Sequence, residues 1–303
     1  MLKKFSDFYS ERINKGNPKR LILASAADEH SLDAVFKAFE KNIIDPVLVG
    51  DKNKIKLICE EKGYDANKTE IIDIKNNDRA VKESVKLIHE GNGDILMKGY
   101  TSTATLLKAV LNKEYGLKES PLLSHFALFE LPYYHKLIGI TDVAMNIAPD
   151  LTEKTGIIAN AVKFMHKTGI KRPKVAIIAA VETINEKMPA TTDAAVLSKK
   201  AQRKQLPDCI VDGPLALDNA MSKESALHKG IESEVAGDAD ILLMPNIETG
   251  NVLYKSFAFA GAHPAAVILG ASVPVVLTSR SDSEISKLNS IILAAASETD
   301  KQN

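Results

Sequence analysis

The chain has 303 residues, long for one hydrophobic core, so two domains are the natural expectation. Lys plus Arg and Asp plus Glu stand at 39 each, a balance that gives no reason to expect nucleic acid or an anionic membrane as partner. Trp is absent, aromatics are 5% and the two cysteines, Cys59 and Cys209, form no CxxC, which argues for an aliphatic α/β protein without a disulfide framework or thiolate zinc site.

In chain order, the segment from Met1 lacks the apolar core of a signal peptide. No apolar run approaches the ~20 residues needed to cross a bilayer, so a cytoplasmic protein is expected. Leu21–Ser25 reads as the first strand and a helix follows from Ser31 to about Lys41. Pro46–Gly50 and Ile71–Ile74 are further strands, a helix around Arg79–Glu90 precedes strand Asp94–Met97, and Thr103–Asn112 is helical again. Near Leu117–Pro121 the rhythm changes. Ser124–Leu131 turns through Pro132, Tyr133 and Tyr134 into Leu137–Thr141, a hairpin rather than a crossover unit. Helix Leu151–Thr168, strand Val175–Ala179, helix Thr191–Arg203, strand Cys209–Val211 and helix Ala216–His228 come next. Strand Ile241–Met244 ends at Pro245, with a helix from about Gly250 to Ala260. Ala266–Leu269 and Val275–Leu277 are two closely spaced strands, and a last helix spans about Asp282–Ala296. Such alternation predicts an α/β fold of mainly parallel sheets flanked by helices. The expected domains are residues 1–120 plus 271–303, and 121–270.

Three segments carry chemistry. Pro274–Ser283 brings Ser279, Arg280 and Asp282 to the carboxyl end of a strand, the edge where open α/β sheets bind ligands. The guanidinium fork suits phosphate oxygens, the hydroxyl can donate to an oxyanion and the carboxylate can take a proton; alternatively Ser279 caps a helix and Arg280 is a solvated charge. Met97–Thr103 is a hydroxyl-rich loop before a helix, an anion site or ordinary capping by Ser102 or Thr103. After Pro245 a polar loop leads into a helix that sets Asn251, Tyr254 and Lys255 on about one side; the bland alternative is Asn251 as N-cap and Lys255 as a solvated cation. His125 lies in an apolar strand, and His89, His166 and His228 lie on helices, where a surface or core role fits better than ligation. No HExxH, EF-hand loop or ligand cluster points to a metal, and no GxSxG points to a nucleophile-elbow hydrolase.

The stretches MKGYTSTATLLKAVLNKEYGL, LSHFALFELPYYHKLIGITDVAMNIAPDL, KMPATTDAA, VDGPLALDNAM, GDADILLMPNIETGNVLYK and PVVLTSRSDS together resemble the phosphate acetyl/butyryltransferase family, and most closely its phosphate butyryltransferase branch. The likeness runs from about residue 15 to 297. It implies two α/β domains of isocitrate/isopropylmalate dehydrogenase-like form with the active site in the cleft between them, and a homodimer or larger homo-oligomer. It also implies reversible transfer of a short-chain acyl group, butyryl or alternatively acetyl, from acyl-CoA to inorganic phosphate, giving acyl phosphate and CoA. CoA is then a substrate, no cofactor is held permanently and no metal takes part.

Carried over by resemblance, Arg280 holds phosphate, Ser279 donates to the oxyanion, and Lys98, Thr103, Lys108 and Ser124 complete a phosphate and acyl-phosphate pocket faced by Asn251, Tyr254 and Lys255. The acetyltransferase pattern carries its base Asp six residues after the Arg, where this chain has Ser286; Asp282 is the nearest substitute and Glu284 stands behind it. Lys108 replaces an Arg of that pattern, keeping charge but losing the bidentate fork. Two rivals are an NAD-dependent, metal-requiring dehydrogenase of isopropylmalate type and a non-catalytic acyl-CoA-sensing module. The first expects two aspartates where this chain has Asn251 and Lys255, a poor set for Mg²⁺. The second is disfavoured by the isolated length and the intact Ser279–Arg280 pair.

Overall fold

The structure is a computed structural model that describes residues 3–8, 10, 17–277 and 283–298. The chain divides into two compact units, one of Phe5–Glu119 with Ala265–Asn303 and one built on Ser120–Pro264.

The first unit opens with a short helix α1 (Phe5–Phe8) and strand β1 (Lys19–Ala24), whose last four residues are buried. Helix α2 (Glu29–Glu40) begins where the Asp28 carboxylate accepts the Ser31 N–H, satisfying one of the four N–H groups a helix start leaves open. Strand β2 (Ile44–Gly50) follows, then α3 (Lys52–Lys62), a helix the apolar pattern does not announce. It is stopped at both ends by readable chemistry. Asp51 accepts from Asn53 and Lys54, and Gly63 closes it at φ 77°, a left-handed position that glycine occupies without Cβ strain. Strand β3 (Glu70–Asp73), helix α4 (Asn77–His89), strand β4 (Ile95–Lys98) and helix α5 (Thr103–Val110) complete the N-terminal run.

The second unit starts with the antiparallel hairpin of β5 (Ser124–Phe129) and β6 (Ile138–Thr141), paired as Ala127↔Ile140 and Phe129↔Ile138. Helix α6 (Leu151–Lys167) is opened by a reciprocal capping box between Asp150 and Glu153. Strand β7 (Lys174–Ile178), helix α7 (Pro189–Gln202) and strand β8 (Ile210–Leu215) come next. The helix expected over 216–228 is two: α8 (Leu217–Met221) ends at Ser222, whose side chain caps α9 (Lys223–His228). Strand β9 (Ile241–Leu243) and helix α10 (Ile247–Phe259) finish the unit. Its strands lie in the order β5-β6-β9-β7-β8, all neighbours parallel except the hairpin.

The chain then returns to the first unit as β10 (Pro264–Leu269), β11 (Val275–Val276) and α11 (Glu284–Ser297). There the order is β3-β2-β1-β4-β11-β10, parallel except for the β10–β11 pair, where Ile268 opposes Val275. The Ser290 hydroxyl of α11 accepts the Ala266 N–H. These contacts draw β10 into the first unit, so the return falls at Ala265 rather than at the expected 271. The strand core of the first unit is aliphatic: Leu21, Ile22, Leu23, Leu48 and Leu96 are all fully buried. No helix among the described residues is long and apolar enough to cross a membrane.

Candidate functional site

In the first unit the chemistry gathers where β4 ends. Gly99 follows the strand at a point of close backbone approach. A Cβ built there would stand 2.4 Å from the Ser25 carbonyl oxygen and 2.8 Å from that of Ala24, distances no side chain tolerates. The same approach is bonded: the Gly99 and Tyr100 N–H groups donate to Ala24 and Ser25 carbonyls at 2.9 and 2.7 Å. Ser25 itself sits at φ 57° and donates its hydroxyl to the Tyr100 carbonyl at 2.9 Å. Beside this turn Lys98 is only 7% exposed, with its Nζ donating to the Gly99 and Thr101 carbonyls at 3.2 and 3.4 Å. A cation buried to that degree, held by loop carbonyls, is placed at the strand's carboxyl end by the fold itself.

Ser102 is the N-cap of α5. It accepts the Thr105 N–H at 3.0 Å and shares a 2.9 Å contact with the Thr105 hydroxyl. Thr103 is the first residue of the helix and exposed, and Lys108 is exposed in its last turn. Lys98 and Thr103 therefore flank one loop, whereas Lys108 lies further along the helix.

In the second unit Ser124 and His125, neighbours on β5, point to opposite faces as a strand requires. Ser124 is fully buried and its hydroxyl accepts from the Asn160 amide of α6 at 3.1 Å. His125 faces α10, with its ring edge-on to Tyr254 at 6.2 Å between centroids. Tyr254 in turn meets Phe129 at 5.4 Å, and Phe129 meets Phe257 at 5.4 Å, forming an aromatic row between β5 and α10.

The start of α10 is braced on the residue that follows β6. Asp142 is 3% exposed and its carboxylate takes four donors: the Ala144 and Met145 N–H groups at 2.8 and 2.9 Å, the His125 N–H at 3.1 Å and the Asn146 amide at 2.6 Å. Its carbonyl lies so close to Gly250 that a Cβ there would be 2.2 Å away. One residue on, the Asn251 amide donates to the Val143 carbonyl at 3.2 Å. Asn251 thus sits just beyond the β6 end while Tyr254 lies against β5, and Lys255 is exposed.

Asn251 is not the cap of this helix. Asn246 is, accepting the Thr249 N–H at 3.0 Å and the Thr249 hydroxyl at 2.7 Å, so α10 begins three residues earlier than the sequence pattern indicated. The polar loop after the strand is itself the first turn of the helix. On the other side of α10, Met188, Leu217, Met244, Val252 and Leu253 line a largely apolar cavity of about 990 Å³, with Lys187 and Glu248 also among its lining residues.

Burial pushes the His125 imidazole down to about 4, against the upward pull of Asp142. His125 and Asp142 are the two residues that sequence reasoning did not place at a site; they lie 17 positions apart and meet only through hairpin pairing. Ser279, Arg280 and Asp282 lie outside the described residues. Among the described residues there is no group of three or more His, Cys, Asp or Glu side chains able to hold a metal ion.

Comparison with known proteins gives this geometry a context. The phosphate butyryltransferase of Clostridium acetobutylicum is 48% identical over 296 residues, 97% of this chain and 98% of that protein. The phosphate acetyltransferase of Thermotoga maritima is 43% identical, over 93% of this chain and 96% of its own length. A branched-chain phosphotransacylase from Enterococcus faecalis V583, known as a crystal structure, superposes with a TM-score of 0.82 at 36% identity, covering 92% of this chain and 98% of the other. The family model for phosphate acetyl/butaryl transferase matches residues 7–87 and 80–295; with nearly the whole length accounted for, the chain belongs to that family.

Proposed function

We propose that this chain is a phosphate acyltransferase that moves a short-chain acyl group reversibly between CoA and inorganic phosphate, with butyryl as the preferred group. The observation that carries the reading is the 48% identity to a phosphate butyryltransferase over 97% of the chain. Acetyl transfer is the second reading, favoured by the 43% identity to a phosphate acetyltransferase. The two differ by methylenes, each worth only about 1–3 kcal/mol in a pocket.

In the forward direction a phosphate oxygen attacks the thioester carbonyl carbon, a tetrahedral oxyanion forms, the C–S bond breaks and CoA leaves as thiolate. In reverse, the CoA thiol must lose its proton before its sulfur attacks acyl phosphate; a free thiol has a pKa of about 8.5, so a base or a positive environment raises the reactive fraction. In this reading Arg280 binds phosphate, Ser279 donates to the oxyanion, and Asp282 takes the thiol proton, with Glu284 as its rival. Lys98 and the Thr103 helix start receive anionic oxygens. Asn251, Tyr254 and Lys255 face the acyl-CoA, Ser124 lines the pocket, and Lys108 contributes charge without a bidentate contact.

The same reading includes CoA as substrate without a permanently held cofactor, a cytoplasmic setting, a homo-oligomeric assembly and the two-domain, dehydrogenase-like form of the fold. Release of CoA thiol from butyryl-CoA, followed with purified protein with and without phosphate, tests it. Release that requires phosphate supports transfer. Release independent of phosphate marks a thioesterase and rejects it.

A further inference from the structure

His125 carries a polar atom that the fold leaves unused. The residue is 6% exposed, and its Nδ1 is closed to solvent with no hydrogen-bond partner among the described residues. The large majority of buried side-chain polar atoms do have one. The adjacent polar groups are committed elsewhere. The Asp142 carboxylate holds four donors, and the Thr141 hydroxyl donates to the His125 carbonyl at 2.9 Å. An unpaired buried nitrogen contributes nothing to folding and carries a desolvation cost, so its presence points to a partner that arrives with a ligand.

The chemistry of that partner follows from the surroundings. The ring is neutral at working pH because burial depresses its pKa to about 4. It stands roughly perpendicular to the Tyr254 ring, with Phe129 beyond. A neutral imidazole offers one N–H and one lone pair. An anion in such an apolar place would lose its hydration without a countercharge, whereas a carbonyl oxygen is a neutral acceptor that a single N–H satisfies.

We propose that His125 is a catalytic residue of the acyl transfer: in the tautomer protonated at Nδ1, it donates to the carbonyl oxygen of the acyl group once the neighbouring Tyr254 ring moves aside. This rests on the functional reading above and deepens it, since thioester and acyl phosphate share the same carbonyl. The donor is fixed by strand β5, and its bond strengthens as negative charge gathers on that oxygen in the tetrahedral state. Tyr254, one turn from Asn251 on α10, then acts as the movable side of the acyl site.

The test uses two variants of the full chain. His125→Phe keeps an aromatic edge against Tyr254 and deletes the N–H. Its melting temperature should equal or exceed wild type, because the lost group has no partner in the free protein, while kcat for butyryl phosphate formation falls about 10²-fold. His125→Asn, whose amide nitrogen reaches about where Nδ1 stands, should recover most of that loss. With ¹³C-carbonyl butyryl-CoA, the bound carbonyl stretch should shift to lower frequency in wild type and the Asn variant and stay near its solution value in the Phe variant. A Phe variant with wild-type kcat and the same infrared shift overturns the assignment. So does a Phe variant that fails to fold, or equal losses of kcat and melting temperature in both variants, since either makes His125 structural. A wild-type protein that forms no acyl phosphate overturns the functional reading first, and this inference with it.

Discussion

The Asp142 carboxylate offers a stringent check on how the second unit is held together. Its two oxygens accept from four donors, two on each oxygen, at 2.6–3.1 Å in a site only 3% exposed. Asp142→Asn changes almost no volume but replaces one oxygen by an NH₂. In one amide orientation the Ala144 and Met145 N–H groups keep their acceptor, while the His125 N–H and the Asn146 amide face a donor. In the other orientation the losses reverse. No orientation satisfies all four. With two buried donors left unpaired at about 1–3 kcal/mol each, the loss should be about 2–6 kcal/mol, a large share of the roughly 5–15 kcal/mol that holds most domains. Urea unfolding followed by circular dichroism reads this as a lowered midpoint with little change in slope. Asp142→Ala, which strands all four donors, should fall further. An Asn variant whose midpoint matches wild type would refute the four-donor arrangement.

Four other outcomes follow from the same physical reasoning. Burial pulls the Asp238 carboxyl upward, but hydrogen bonds from Lys174, His135 and Lys136 outweigh it and hold its pKa well below the carboxylate range. The stabilisation from a depressed folded pKa is fully present above the unfolded value and is lost progressively as pH falls through the folded one, so Asp238→Asn should cost about 3 kcal/mol at neutral pH, and the gap to wild type should begin to narrow below about pH 4; a constant gap across urea titrations down to pH 2 would contradict this. Cys59 and Cys209 are buried and burial raises both thiols to about 11, so Ellman's reagent should label neither quickly at neutral pH until the protein unfolds. Gly250→Ala drives a Cβ against the Asp142 carbonyl at 2.2 Å, with only backbone to give way; it should destabilise by about 2 kcal/mol or more and reduce turnover, and an unaffected variant would show that α10 sits elsewhere. Lys98→Met should lower phosphate-dependent turnover about 10²-fold with the far-ultraviolet spectrum unchanged, and near wild-type turnover would remove Lys98 from the site.

Much of this molecule is legible in one dimension, for reasons that differ by element. Buried parallel strands such as Leu21–Ala24 and Ile95–Lys98 announce themselves as apolar runs because both faces are covered. Helix α3 was invisible to apolar periodicity because only Ile55 and Cys59 are buried along it; its signature lay in Asp51 and Gly63 at its ends. The α8–α9 break at Ser222 and the early start of α10 at Asn246 turn on caps, where one side chain decides the boundary. The candidate site divides the same way. Lys98, Thr103, Asn251 and Tyr254 stand out because local loop chemistry at strand ends is contiguous in sequence. The pairing of His125 with Asp142 and Tyr254 is set by hairpin register and helix docking, and no spacing rule along the chain encodes it.

Transfer of the acyl group straight from sulfur to phosphate is the claim on which the functional account stands, and thiol exchange tests it most directly. Radiolabelled CoA is mixed with unlabelled butyryl-CoA and the protein, first without phosphate and then with it. The account predicts no label in butyryl-CoA until phosphate is added, after which butyryl phosphate and CoA form in equal amounts. Label entering butyryl-CoA in the absence of phosphate would reveal an acyl-enzyme and contradict it.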